Sequence, residues 1–310
     1  MSFDLKIQAQ NNSIQLIDLY NETMIEIHCK GALMNRWRAK NGNQFQDLIL
    51  GNDGADHFEM NGFRSGKMSP FSCRIDAGKY QWNNQLFQFK KFYLGEHAMH
   101  GLIYDANFSI LRTEVHENFA EVTLSFNYQG KDAGFPFPYE IIVQWTLYAD
   151  NRIGLKTTIV NHSNSIIPIM DGWHPYFTLG GQVNDYTLEF QSNGKLEMRD
   201  DMIPTGSIME DTNYNTGKKI GDTHFDDCHL LDPTHQEIKI SYEGMSILVQ
   251  PKHNYPYLQM YTPDDRKSIA IENLSGAPNC FNNKMGLQQL EPQGQIYFET
   301  TYQFSAASPQ

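Results

Sequence analysis

Two neighbouring segments decide the fold class: Glu121-Val-Thr-Leu-Ser-Phe-Asn-Tyr128 and Tyr139-Glu-Ile-Ile-Val-Gln-Trp-Thr-Leu147. In each segment apolar residues recur at every second position. Successive side chains of a β-strand point to opposite faces of a sheet, so this period predicts strands that bury one face. The same period of two returns in residues 238–242, 269–271 and 296–304.

Turn-forming residues separate these predicted strands, at 51–54, 149–152, 161–164, 179–181 and 242–244. We find no long segment with a helical period and caps between them. Many short strands without alternating helices indicate antiparallel sheets rather than a parallel sheet with crossover helices. Because 310 residues are too many for one small barrel, we predict an all-β fold, a large antiparallel β-sandwich, as a single domain over residues 1–310.

The composition excludes several classes of function. Asp and Glu outnumber Lys and Arg by 36 to 24, a formal net charge of −12, and such a chain repels phosphate backbones and anionic lipid. We therefore expect neither a nucleic-acid partner nor a membrane partner. No apolar run approaches the roughly 18 residues of a membrane span, and the first residues do not resemble a signal peptide. These features predict a cytoplasmic protein. We expect a monomer or a homodimer, and the sequence does not decide between them.

The four cysteines, Cys29, Cys73, Cys228 and Cys280, are far apart and form no Cys-x-x-Cys pair. Scattered cysteines of this kind are typical of buried, reduced thiols rather than of a disulfide framework or a zinc site. The chain also lacks the glycine-rich loops that bind nucleotide phosphates, the nucleophile elbow of serine hydrolases and a His-Glu-x-x-His helix.

Three segments place polar groups where the local pattern favours apolar ones. They are Gly95-Glu-His-Ala-Met-His-Gly-Leu102, Asp171-Gly-Trp-His-Pro-Tyr-Phe-Thr-Leu-Gly-Gly181 and Ser268-Ile-Ala-Ile-Glu-Asn-Leu-Ser-Gly-Ala-Pro-Asn279. In the third, Ile269 and Ile271 take one face of a strand, so Glu272 lies on the other face beside small residues. A carboxylate in that setting has room for a ligand above it.

Each segment also has a structural explanation. His97 and His100 could be hydrogen-bonded histidines of a glycine-rich loop, and Glu272 a solvated strand residue. The aromatic residues around His174 could form either a core cluster or a platform on which a sugar stacks. The histidines together with a carboxylate could also hold a metal ion, although no compact ligand set surrounds them.

Taken in order along the chain, these segments resemble the aldose 1-epimerase (galactose mutarotase) family. Ser69-Pro-Phe-Ser-Cys-Arg-Ile-Asp-Ala-Gly-Lys79 is similar to the family's Asn-Arg-Ile segment, with Cys73 in place of the asparagine. Met99-His-Gly-Leu102 is similar to its Leu-His-Gly-Gly, and Asp171–Gly181 to the segment that carries its second histidine. Phe225-Asp-Asp-Cys228, Leu258-Gln-Met-Tyr-Thr262 and Ile271–Asn279 resemble its later site segments.

The resemblance covers the chain from about residue 65 to its end, and it implies a function and a set of site residues. The fold would be the large β-sandwich (supersandwich) of galactose mutarotases, and the activity that of a cofactor-independent isomerase in carbohydrate metabolism. The implied catalytic residues are Glu272 as the base, His174 as the acid at the ring oxygen and His100 as a supporting donor. The implied substrate-binding residues are Arg74, Asp226 and Gln259, with Trp173 and Tyr176 as walls.

These residue types suit the interconversion of sugar anomers. The reaction removes a proton from the anomeric hydroxyl while another proton is delivered to the ring oxygen; the ring opens, the carbonyl rotates, and closure reverses both transfers. A carboxylate and an imidazole can do this without a metal ion or a cofactor, and each positioned group contributes typically 10²–10⁴-fold. We therefore expect no cofactor and a small-molecule sugar as the binding partner.

Alternatives stay open from the sequence. The substrate could be a phosphorylated hexose, with Arg64, Lys67 and Arg266 as candidate phosphate ligands, or the protein could be a carbohydrate-binding β-sandwich without turnover. A glycoside hydrolase would need a second carboxylate facing Glu272. The sequence also leaves open which sugar is used, whether Asp226 or Asp227 binds it, and what His97 does.

Overall fold

A computed structural model describes residues 2–52 and 62–307 of the chain. The strands in these two ranges are β1 (Phe3–Gln8), β2 (Ser13–Asp18), β3 (Thr23–His28), β4 (Met34–Asn41), β5 (Gln44–Asp47), β6 (Lys67–Met68), β7 (Arg74–Ile75), β8 (Lys79–Trp82), β9 (Gln85–Gln88), β10 (Tyr93–Leu94), β11 (His97–Met99), β12 (Ser109–Val115), β13 (Phe119–Tyr128), β14 (Tyr139–Tyr148), β15 (Arg152–Asn161), β16 (Ile167–Ile169), β17 (Gly172–Trp173), β18 (Tyr176–Phe177), β19 (Thr187–Phe190), β20 (Ser192–Met198), β21 (Pro204–Met209), β22 (Lys218–Lys219), β23 (Asp226–Leu231), β24 (Ile238–Tyr242), β25 (Met245–His253), β26 (Tyr257–Tyr261), β27 (Ile269–Leu274), β28 (Gln288–Leu290) and β29 (Gln295–Ala306).

Helix is scarce in these residues. One α-helix, α1, spans Cys280–Asn283, and two single 3₁₀ turns span Asp76–Gly78 and Val183–Asp185. The prediction of an all-β fold is confirmed. None of the described helices has the length and apolar character that crossing a membrane requires.

Three large sheets carry most of the strands. Five strands pair in the order β1-β2-β3-β4-β5, nine in the order β12-β13-β14-β15-β29-β25-β24-β19-β22, and eight in the order β21-β20-β23-β26-β27-β17-β6. Neighbouring strands are antiparallel, and in the nine-stranded sheet Val122 lies opposite Trp145 and Leu124 opposite Val143. The two segments whose period decided the fold class are therefore adjacent strands.

The nine-stranded and eight-stranded sheets pack face to face. Trp145 of β14 and Trp173 of β17 meet with ring centroids 5.3 Å apart, and Thr300 of β29 donates a hydrogen bond of 2.9 Å to Asn273 of β27. The five-stranded sheet adds to this core through β2, which lies against β13 and β14. Buried apolar residues of all three sheets form one contiguous cluster, the arrangement of a large antiparallel sandwich.

Alternation along the strands agrees with the sequence in most places. All five apolar residues predicted to face inward in β14, from Tyr139 to Leu147, are buried. In β13 the pattern shifts after Leu124, because Ser125 is buried and Phe126 is half-buried. The turn predicted at 149–152 joins β14 to β15, whereas the turn predicted at 51–54 extends outside the described residues. One domain over 1–310 stays a prediction, as does a cytoplasmic location.

Candidate active site

A row of polar side chains crosses three adjacent strands of the eight-stranded sheet. The backbone register places Cys228 of β23 opposite Gln259 of β26, and Gln259 opposite Glu272 of β27. Residues directly opposite one another project from the same face of a sheet, so the three side chains are neighbours. Asp226 lies two residues before Cys228 and shares that face; it accepts a hydrogen bond of 2.9 Å from the Gln259 amide.

His174 reaches Glu272 from the short connection between β17 and β18. Its Nε2 lies 3.2 Å from Oε1 of Glu272, and both side chains are almost completely buried. The ring of Tyr176 stacks on His174 with centroids 4.9 Å apart, and its hydroxyl donates to the backbone oxygen of Gly62 at 2.9 Å. Tyr176 therefore fixes the orientation of the imidazole.

His100 completes a cluster with His174. The two rings lie edge to face with centroids 5.2 Å apart, and Phe63 packs on the other side of His100 at 4.6 Å. His100 follows strand β11 in a left-handed backbone conformation, with φ of 56°. This conformation interrupts the strand, and it is uncommon for a residue other than glycine.

Burial opposes charge on each of the three groups. It raises the pKa of Glu272 well above its usual range; the Asp226 carboxyl adds to the rise and the Arg74 guanidinium opposes it. Burial also lowers the pKa of His174 to about 4. The pKa of His100 falls well below its usual value through burial and through the nearby His174 and Arg74. Both pKa shifts favour the neutral forms of the pair, a protonated carboxyl group and a neutral imidazole.

Four buried polar atoms of this cluster have no hydrogen-bond partner within the described part of the protein. They are Oε2 of Glu272, Nδ1 of His174, Nδ1 of His100 and Oε1 of Gln259. A buried polar atom without a partner is costly, and native proteins tolerate few of them. Four in one cluster provide hydrogen-bonding capacity for a polar ligand with several hydroxyl groups.

The structure separates the two candidate aspartates. Consecutive residues of a strand point to opposite faces; accordingly Asp226 joins the cluster, while Asp227 pairs with Lys195 at 3.3 Å. Burial raises the pKa of Asp226, and the Arg74 guanidinium opposes that rise. Arg74, in β7, lines the same cavity as His100, Asp226 and Gln259. None of the ion pairs found in the described residues engages its guanidinium, so the group is available to a ligand.

Trp173 does not join this cluster, which corrects its prediction as a wall of the sugar site. It precedes His174 in the chain, and its side chain enters the core between the sheets, where only 2% of it is exposed. Its indole nitrogen donates to Thr157 at 3.3 Å, and the Nζ of Lys67 lies 4.7 Å from its ring centroid. The aromatic segment thus supplies both a core residue, Trp173, and a site residue, Tyr176.

The cavity beside the cluster is narrow, with a volume of about 30 Å³. Besides Arg74, His100, Asp226 and Gln259, its lining includes Cys73, Met99, Pro278, Met198 and Met202. No sequence motif marks Met198 and Met202, which the sequence therefore did not single out as site residues. Wider cavities of about 730, 600 and 500 Å³ lie elsewhere, and no predicted catalytic or sugar-binding residue lines them.

His97 has a different environment from His100. Its two ring nitrogens lie 3.4 Å from carboxylate oxygens of Asp76 and Asp201. Potential ligand atoms of these three residues all lie within 4.8 Å of one another, a spacing that a metal ion could bridge. However, the guanidinium of Arg199 contacts both carboxylates, so a cation already neutralises them. The metal interpretation of the histidines gains no support from this cluster.

Comparisons with known proteins identify the family of this chain. The family model described as Aldose 1-epimerase matches residues 14–303. The uncharacterized protein YihR of Escherichia coli is 25% identical over 232 residues, which cover 72% of this chain and 73% of that protein. An aldose 1-epimerase of Haemophilus influenzae is 22% identical over 209 residues, 64% of this chain and 59% of that protein.

Solved structures share the fold over nearly the whole chain. The structure of a galactose 1-epimerase from Lactobacillus acidophilus aligns with a TM-score of 0.84 at 16% identity and covers 99% of both chains. A galactose mutarotase-like protein from Clostridium acetobutylicum aligns with a TM-score of 0.83 at 15% identity and covers 98% of both chains. At such identities the likeness concerns the fold.

Proposed function

The chain belongs to the aldose 1-epimerase family, and we propose that it interconverts the α and β anomers of a free hexose by acid–base ring opening. The observation that carries the proposal is the direct contact between Glu272 and His174, 3.2 Å apart and buried. A carboxyl group and an imidazole at this distance can share one proton. Such a pair suffices to remove one proton from the sugar and to deliver another.

The mechanism follows from that shared proton. When the proton resides on His174, Glu272 is a carboxylate whose unpartnered Oε2 accepts the proton of the anomeric hydroxyl, while the imidazolium protonates the ring oxygen. The C1–O5 bond breaks, the open-chain carbonyl rotates, and the reverse transfers close the ring in the other configuration. Burial favours the proton on Glu272, so transfer across the contact precedes the chemical step.

The remaining polar groups would bind the sugar. Arg74 and Gln259 present a guanidinium and an amide oxygen beside the pair, and Asp226 presents a carboxylate already oriented by Gln259. A few placed polar groups against apolar walls are typical of sites for small neutral ligands. His100 would support the developing charges as a neutral donor. In this proposal the binding partner is a small sugar, neither a nucleic acid nor a membrane, and the protein is a monomer or homodimer.

The environments of three cations weigh against a phosphorylated substrate. Lys67 is buried in an ion pair with Asp171. Arg266 donates to Asn184 and to the backbone oxygens of Thr223 and Gly221. Arg64 donates to the backbone oxygen of Gly51 at 3.3 Å. These are the residues that the sequence suggested as phosphate ligands, and each has an internal partner. Among the predicted site residues only Arg74 then offers a positive charge, which suits a neutral sugar.

Polarimetry tests the proposal. Freshly dissolved α-anomers of several hexoses, and of their 6-phosphates, are followed with and without enzyme. For at least one free sugar, we expect optical rotation to relax faster with enzyme than without it. The acceleration by the enzyme should be smaller for the 6-phosphate of that sugar. Relaxation at the uncatalysed rate for every sugar, with sugar binding still detectable by calorimetry, would instead support a carbohydrate-binding protein without turnover.

A further inference from the structure

The residue that the proposed chemistry leaves unused is His97. Its Nδ1 accepts a hydrogen bond of 3.1 Å from the backbone N–H of Ala77, so a neutral ring carries its proton on Nε2. That nitrogen faces Asp201 at 3.4 Å. His97 is 7% exposed, whereas Asp201 lies on the surface. The buried imidazole of His97 thus contacts the exposed carboxylate of Asp201, which belongs to a distant segment of the chain.

Asp201 belongs to the tip of a hairpin at the edge of the eight-stranded sheet. The tip, residues 199–203, joins β20 to the edge strand β21, whose residues after Pro204 are exposed. Two register shifts interrupt the pairing of β20 with its neighbours, and such irregularities bend a strand locally. The hairpin is therefore supported by the sheet on one side and by the contacts of its tip.

Arg199 makes most of those contacts. Its Nε and Nη2 donate to the two oxygens of Asp201 at 2.9 and 2.5 Å, and its Nη1 lies 3.3 Å from Asp76. This guanidinium lowers the pKa of Asp201 to about 2, so the carboxylate stays charged at neutral pH. Asp76, in turn, receives a hydrogen bond at its backbone oxygen within its own turn and directly follows β7, which carries Arg74.

The fastened tip and the end of β20 bring two methionines against the site. Met198 and Met202 line the same cavity as Arg74, His100 and Gln259, and that cavity measures about 30 Å³. Sites for small molecules usually measure about 300–1,000 Å³. The space that this position of the tip leaves beside Arg74, His100 and Gln259 is therefore much smaller than the usual site of a small molecule.

We propose that the tip 199–203, together with Met198 at the end of β20, is a movable cover of the sugar site. Met198 and Met202 are its specificity-determining wall, and His97, Asp76, Arg199 and Asp201 are its latch. This inference rests on the proposed function for the identity of the ligand, but not for the motion. Sugar binds when the latch opens, and the methionines then bound the face of the ring that is turned away from Glu272. His97 is a positioning residue in this arrangement, not a catalytic one.

Thiol labelling measures the motion independently of any sugar. Cys73 lines the covered cavity and is 5% exposed, so its reaction with a maleimide reports opening. We expect Arg199→Gln and Asp201→Asn each to raise the labelling rate of Cys73 by about threefold to fivefold, the effect of losing an exposed ion pair. Mass spectrometry of the Cys73 and Cys280 peptides separates the two thiols, and buried Cys280 should keep its rate.

Arg152→Gln is the matched control, because Arg152 forms a comparable exposed pair with Asp150 at 3.3 Å. Its Cys73 rate should equal that of the unaltered protein. Equal labelling rates of Cys73 in Arg199→Gln, Asp201→Asn and Arg152→Gln would overturn the proposal of a movable cover. A rise in melting temperature on adding Zn²⁺ or Mn²⁺, lost in Asp201→Asn, would also overturn it by assigning the cluster to a metal ion.

Kinetics then connect the motion to the sugar. Loosening the latch raises the fraction of binding-competent protein, so the KM of Arg199→Gln and Asp201→Asn should fall while kcat stays unchanged. A higher KM in both would overturn the assignment of the tip as a barrier to binding. If no sugar is turned over by any form of the protein, the proposed function fails, while the labelling experiment still decides whether the cover moves.

Discussion

Glu272 and His174 illustrate how burial sets the state of a catalytic pair. An isolated carboxylate or imidazolium in an apolar interior is strongly disfavoured, so both groups shift toward their neutral forms. Their contact allows one proton to serve both, and it makes the pair titrate as a unit rather than as two independent groups. The residue-level chemistry therefore depends on the pair and not on either side chain alone.

Replacing either member of the pair should abolish most of the turnover. Glu272→Gln keeps the shape and removes the proton acceptor, so we expect kcat to fall by about 10² or more with little change in KM. His174→Asn should have a similar effect, and the double variant should lose little more than either single variant, since the groups serve one coupled transfer. Near-normal turnover of Glu272→Gln in a polarimetric assay would move the base to Asp226.

The pH dependence of kcat/KM should show a broad plateau. Burial lowers the pKa of His174 to about 4. Activity should therefore fall only when the pH drops toward that value, because the imidazole is then protonated and the pair carries two protons instead of one. Because burial raises the pKa of Glu272, its proton is retained until well above the usual range of a carboxyl group, and activity should fall beyond that point. An acid limb near pH 6.5, the value of an ordinary histidine, would contradict the neutral pair.

Strand pairing places these residues at the scale of the elements. Register across β23, β26 and β27 brings Cys228, Gln259 and Glu272 into one row, and β17 delivers His174 to its end. Behind β17, the buried Lys67 pairs with Asp171 and donates to the backbone oxygen of Gly172 at 3.2 Å. Asp171 also accepts a hydrogen bond of 2.6 Å from Tyr255, so several elements fix the strand that precedes His174.

Removing one partner of this buried ion pair should destabilise the protein. Lys67→Met leaves the Asp171 carboxylate buried without its cation, and such changes cost about 3–5 kcal/mol. The loss should be smaller at low pH, because protonation removes the unpaired charge of Asp171, whose pKa burial already raises. Urea denaturation at pH 7 and pH 5 measures both effects.

The double variant Lys67→Met, Asp171→Asn is the control for that experiment. It removes both charges and keeps an oxygen that can accept from Tyr255. We expect it to recover much of the lost free energy of unfolding, since replacing a buried pair by neutral groups is often nearly neutral. A double variant as unstable as Lys67→Met would mean that the packing of the lysine stem, rather than the charge, holds β17.

At the scale of the whole molecule, the proposed chemistry requires neither metal nor cofactor, because both proton transfers use side chains. Dialysis against a chelator should therefore leave kcat and KM unchanged in the polarimetric assay. The acidic surface, with a net charge of −12, makes adventitious cation binding a necessary control, so activity is compared before and after adding Mg²⁺ and Zn²⁺. Activity lost on chelation and restored by one metal would return His97 or His100 to the role of ligand.

The sequence by itself determined the fold class and the family. Alternation with a period of two is a local property, so segments such as 139–147 indicated strands without knowledge of their partners. The order of the short motifs indicated the aldose 1-epimerase family, and in the structure Glu272, His174 and His100 lie next to one another. It also brings Arg74, Asp226 and Gln259 to the same cavity.

Only the tertiary structure decided the surroundings of those residues. Trp173 and His174 are adjacent in the chain, yet one enters the core and the other the site, because the chain leaves β17 after Trp173 and the two side chains meet different partners. The same geometry distinguishes Asp226 from Asp227. His97 meets Asp201, and Met202 lines the same cavity as His100, across long sequence separations. Such contacts depend on how the sheets pack, and a period read along one strand carries no information about what lies above it.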